Sequence, residues 1–83
     1  MVYASFDGRE IVKALRSMGY RPVGREGSHV KIRYESPDTD EVRNVSVPLT
    51  DSDQISQDTY RSIADQCGAD GFEAWCGWIE DLL

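Results

Sequence analysis

The chain has a single histidine, His29, followed at alternate positions by Lys31 and Arg33. The segment Gly27-Ser28-His29-Val30-Lys31-Ile32-Arg33 reads as a turn that runs into a strand. Strand side chains alternate between faces. His29, Lys31 and Arg33 therefore share one face, and Val30, Ile32 and Tyr34 the other. A titratable imidazole beside two fixed cations suits binding or cleavage of a phosphodiester. RNA can be cleaved without metal when its 2′-hydroxyl acts as an internal nucleophile. A proton must leave that hydroxyl, another must reach the departing 5′ oxygen, and charge on the phosphorane must be stabilised. Imidazole suits the proton work because it titrates near neutral pH. Lys31 and Arg33 suit the phosphate. One histidine leaves a second proton step to Lys31, Tyr34 or water, with Tyr34 disfavoured by alternation. The plainer reading of His29 is an exposed imidazole beside a turn. Ser28 can bond a phosphate or cap the turn, and Gly27 suits a backbone conformation that other residues resist.

The elements that must position these residues can be read along the chain. Asp7 is a good N-cap with Glu10 at the third helical position, and Phe6 and Ile11 are spaced for a hydrophobic staple. Ile11, Ala14, Leu15 and Met18 follow helical spacing, and Gly19 ends the segment, which predicts a helix over 8–18. A short strand is expected near 20–25, with Pro22 best tolerated on an edge. Strands over 29–35 and 42–47 follow, separated by the polar loop 36–41 and closed by Pro48. Short connections favour an antiparallel meander. The stretch 49–55 reads as acidic and irregular. Ser56 opens a second helix over 57–67 with the stripe Tyr60, Ile63, Ala64 and Cys67, closed by Gly68. Asp70 and Glu73 open a third helix. Its wide apolar coverage, from Phe72 and Trp75 to Leu82 and Leu83, could meet the domain, a second copy or a partner protein.

Eighty-three residues make one small domain, 1–83, with one modest core. No apolar run is long enough to span a membrane. The N-terminus lacks signal-peptide character, so a cytoplasmic protein is expected. Cys67 and Cys76 read as buried reduced thiols rather than a disulfide framework. No metal pattern is present, so no cofactor is expected. Asp51, Asp53 and Asp58 read as a solvated acidic loop.

The net charge is −6, but it is unevenly spread. Residues 1–43 carry +1 and hold eight of the nine cations, whereas residues 44–83 carry −7. The cations gather where the histidine is. Lys13, Arg16, Arg21, Arg25 and Arg43 can extend a phosphate-binding surface, or be solvated and paired with Glu10, Glu26, Glu35 and Glu41. Arginine outnumbers lysine seven to two. An acidic, lysine-poor surface fits a salt-rich cytoplasm, as in a halophile, where the Debye length at about 1 M is roughly 3 Å. An ordinary acidic protein kept soluble by its charge is the other reading.

Several stretches, in order, resemble the HicA family of toxins. They are Asp7-Gly8-Arg9-Glu10-Ile11-Val12-Lys13-Ala14-Leu15, Gly19-Tyr20-Arg21-Pro22, Gly27-Ser28-His29 and Val45-Ser46-Val47-Pro48. Thr59-Tyr60-Arg61-Ser62-Ile63 is similar to that family's Gly-Thr-Leu-Arg-Ser-Ile helix start. Leu49-Thr50-Asp51 stands where family members often carry a second histidine. The resemblance implies an α+β, dsRBD-like α-β-β-β-α fold: a three-stranded antiparallel sheet, here with an additional C-terminal helix. It also implies an mRNA endonuclease in which His29 is catalytic, and a HicB-like antitoxin as partner. On that reading Gly27 and Ser28 shape the turn, and Lys31, Arg33, Lys13 and Arg25 meet RNA phosphate. The rival expectation is a non-catalytic RNA-binding or protein-interaction module on the same fold.

Overall fold

The computed structural model describes residues 3–83. Its order is helix α1 (Gly8–Ser17), strands β1 (Arg21–Glu26), β2 (His29–Glu35) and β3 (Val42–Pro48), then helices α2 (Gln57–Gln66) and α3 (Phe72–Leu82). The three strands form an antiparallel sheet in the order β1-β2-β3. This is the expected α+β, dsRBD-like arrangement. Among the described residues no helix is long and apolar enough to cross a membrane.

Local chemistry starts and stops each helix. The Glu10 carboxylate accepts the Asp7 backbone N–H at 2.9 Å, as a capping box requires. The Asp7 carboxylate also accepts the Ser52 N–H at 2.8 Å, tying the loop after β3 to the start of α1. Ser56 caps α2 by accepting the Thr59 N–H at 3.2 Å. The N-cap of α3 is Gly71, not Asp70. The Gly71 carbonyl accepts the Trp75 N–H at 3.1 Å, and the fully buried Trp75 sets the phase of the helix. The acidic stretch after β3, expected to be irregular, includes one 3-10 turn over Ser52–Gln54.

Alternation in β2 and β3 sorts the sheet into two faces. Ile32 lies opposite Val45 and Val30 opposite Val47, so their side chains share one face. Ile32, Val45 and Val47 are buried there with Ile11, Ala14 and Leu15 of α1 and Tyr60, Ile63 and Ala64 of α2. Every residue of β1 is exposed. β1 is an edge strand that holds Pro22 and a bulge at Val23, where the register shifts, and so extends the sheet beyond the core.

α3 closes the domain. Trp75 packs edge-on to Phe6, with centroids 6.1 Å apart, and stacks on Phe72, also at 6.1 Å. Tyr60 joins them: its hydroxyl donates to the Phe6 carbonyl at 2.7 Å and accepts the Phe6 N–H at 3.1 Å. The apolar face of α3 is thus spent on the domain's own core, and Leu82 and Leu83 stay exposed at its end. Cys67 and Cys76 are free and buried.

Candidate active site

His29 is the first residue of β2, directly after the β1–β2 turn. Glu26 pairs with His29, leaving Gly27 and Ser28 as a two-residue hairpin loop. Gly27 has φ +59 and Ser28 does not have positive φ, the pattern of a type II′ turn, which takes glycine at its first central position. On its other side His29 pairs with Pro48 of β3. The Ser28 carbonyl accepts the Leu49 N–H at 2.7 Å, extending the β2–β3 pairing past the strand end. His29 is therefore held on a backbone braced from both neighbours, with its side chain exposed.

α2 runs beside β3 and walls a groove at His29. The Ser46 N–H donates to the Gln66 side-chain carbonyl at 2.9 Å. The Gln66 amide N–H donates in turn to the Ser62 hydroxyl at 3.2 Å. The groove has a volume of about 330 Å³. On the strand side it is lined by His29, Ser46 and Pro48, and on the helix side by Asp58, Thr59, Ser62 and Gln66, with Ile63. A cavity of this size with a few convergent polar groups suits a small segment of ligand.

The second cationic element is α1. Arg9, Lys13 and Arg16 border a hollow floored by Val12 and Leu49. These three cations are exposed, and none enters an ion pair among the described residues. The hollow adjoins the His29 region because Gly8 is pressed against the Pro48 carbonyl and Leu49. A Cβ at Gly8 would occupy the space of that backbone, so only glycine permits the approach.

The remaining expected residues fall around this centre. Lys31 shares the His29 face and lines a neighbouring cavity with Ser46 and Gln66. Its ammonium pairs with Glu26 at 3.3 Å across the β1–β2 hairpin. The Arg25 Nε–H donates to the Gly27 carbonyl at 3.2 Å and so supports the turn. Arg33 is paired with Glu35 at 2.8 Å. It lies four residues from His29, roughly 13 Å along the strand. Tyr34 is on the opposite face, with its ring 5.4 Å from that of Tyr20. Of the three aspartates read as one acidic loop, only Asp58 lines the His29 groove; Asp53 lines a separate cavity near Tyr3 and Ser5. Sequence reading did not place Asp58, Ser46, Thr59, Ser62 or Gln66 at this site. The 58, 62, 66 spacing marks them as one helical stripe, but not which strand it borders. Among the described residues no cluster of three or more His, Cys, Asp or Glu could hold a metal ion.

A three-stranded antiparallel sheet with three helices and an exposed histidine at the start of its central strand defines a small α+β domain of dsRBD-like fold. The family described as HicA toxin of bacterial toxin–antitoxin matches residues 8–69, well over half of the chain. The chain belongs to this toxin family. The match ends before α3. No curated protein and no solved structure matches the chain.

Proposed function

We propose that this toxin is a metal-independent endoribonuclease that cleaves mRNA, with His29 in proton transfer. The observation that carries the reading is the position of His29, the chain's single histidine. It is exposed at a polar groove, and the unpaired cations of α1 border a separate hollow at Leu49, the residue after its sheet partner Pro48. RNA backbone laid along α1 would meet Arg9 and Lys13, cross Leu49 and reach the Gly27-Ser28 turn. Lys31, two residues along the same face, supports the phosphate being cleaved. Arg33, further along, serves a neighbouring phosphate, and Arg25 acts through the turn that it braces. Recognition by shape and backbone fits an RNA surface of this kind. The partner is a HicB-like antitoxin that neutralises the toxin by covering this face.

The test is RNA cleavage by wild type and His29→Ala with EDTA, in low salt and in about 2–3 M KCl, where surface repulsion is screened. Circular dichroism shows that both are folded. Cleavage by wild type alone is the expected result. Equal cleavage by both proteins, or none by folded wild type, would reject the reading.

A further inference from the structure

We propose that Asp58 is the second proton-transfer group of this site. It receives the proton of the ribose 2′-hydroxyl while His29 serves the leaving 5′ oxygen. The inference rests on the RNA-cleaving reading above and assigns the step that a single histidine leaves open.

His29 and Asp58 come from different elements and line the same groove. Among the described residues neither takes part in an ion pair or a side-chain hydrogen bond. The space between strand and helix, about 330 Å³, is open to a ligand. Two proton-handling groups bordering a common space are what in-line displacement at phosphorus requires, because the entering and leaving oxygens lie on opposite sides. A carboxylate and an imidazole also differ in ordinary acidity, which allows one to act as base while the other acts as acid.

The scaffold fixes Asp58. It lies in the first turn of α2, which Ser56 caps. Eight residues on, Gln66 fastens the same helix to β3 through Ser46. The other candidates are placed less well. Lys31 is engaged by Glu26, and Tyr34 is on the other face against Tyr20. Other charged groups on the elements that bear the pair are Lys31, Arg33 and Glu35 of β2, Glu26 across the hairpin from His29, and Arg61 and Asp65 of α2, with Arg61 over the Phe72 ring.

In the reaction the Asp58 carboxylate takes the 2′-hydroxyl proton as the 2′ oxygen bonds to phosphorus. The P–O5′ bond breaks, and the His29 imidazolium gives its proton to O5′. The products are a 2′,3′-cyclic phosphate and a 5′-hydroxyl. Exchange of protons with water returns Asp58 to carboxylate and His29 to imidazolium.

The experiment compares pH–rate profiles of wild type, Asp58→Asn, Asp58→Glu, His29→Ala and Asp53→Asn on one RNA, with end-group analysis. Asp58→Asn should lower kcat by about 10²-fold or more, the usual reach of general acid–base catalysis, and lose the acid limb of the profile. Asp58→Glu should restore most of the rate and the limb. Asp53→Asn, a charge control outside the groove, should match wild type. Should Asp58→Asn fail to fold, Asp58→Ala replaces it. An Asp58 variant with wild-type rate and both limbs would overturn this inference and leave His29 standing. Wild-type cleavage by His29→Ala, or none by folded wild type, would overturn the ribonuclease reading and this inference with it.

Discussion

The Ser46 backbone N–H donates to the Gln66 side-chain carbonyl across 2.9 Å, and that bond fastens α2 to β3. One side chain meets a strand N–H and supports Ser62 at once. Asp58, Ser62 and Gln66, spaced four residues apart, consequently form the helix wall of the His29 groove.

Gln66→Ala should therefore leave the part-buried Ser46 N–H without its partner. A destabilisation of about 1–3 kcal/mol is expected, read from urea unfolding. Cleavage should fall more than stability alone explains, because the groove wall loses its anchor. An unchanged midpoint in urea would contradict the assigned role of the bond.

Gly8→Ala tests the close packing of α1 on the segment after β3. The added methyl meets Pro48 backbone rather than a movable side chain. Overpacking of this kind costs about 1–3 kcal/mol, despite the better helix propensity of alanine. Differential scanning calorimetry should show a lower Tm, and equal or higher stability would contradict the close approach.

Removal of α3 should unfold the domain. Trp75 is fully buried against Phe6, Tyr60 and Phe72. Trp75→Ala alone should cost about 3–5 kcal/mol, a large share of the stability of a small domain. A chain ending at residue 71 should lack the cooperative unfolding transition seen by circular dichroism in the full chain. Retained cooperativity would show that the core stands without α3.

Alkali should destabilise the fold. Burial pushes the Cys67 and Cys76 thiols up, and pushes the Tyr20 and Tyr60 phenols above their ordinary range. These groups hold their protons more tightly when folded. Their contribution is fully present below the unfolded values and is lost as pH rises toward the folded ones. Stability should begin to fall near pH 9, from the thiols, and more steeply above about pH 10, from the phenols. Urea midpoints measured from pH 7 to 11 would show this, and a flat profile would contradict the burial of these groups.

Lys13→Ala should weaken RNA binding similarly across sequences. The slope of log affinity against log salt should drop by just under one, about 0.7 to 0.9, because one phosphate is no longer neutralised. The measurement is fluorescence anisotropy with His29→Ala as background, so that RNA stays intact. An unchanged slope would remove Lys13 from the RNA path.

Much of this architecture was legible in the sequence because it depends on local chemistry. Asp7 and Glu10, the Ser56 cap, Gly27 and the alternation of His29-Val30-Lys31-Ile32 each act within a few residues. They determine three of the helix and turn boundaries and the two faces of β2. The order of the quoted segments identified the family.

Tertiary structure decided what local patterns do not encode. The apolar coverage of α3 left its partner open, and the placement of Trp75 between Phe6 and Tyr60 assigned it to the core. Asp58 reads in sequence as one of several solvated acids. Its place beside His29 comes from a helix docked on β3, through a bond that links Ser46 to Gln66 twenty residues away. Periodicity gives the face on which a residue lies, whereas long-range packing gives what that face meets.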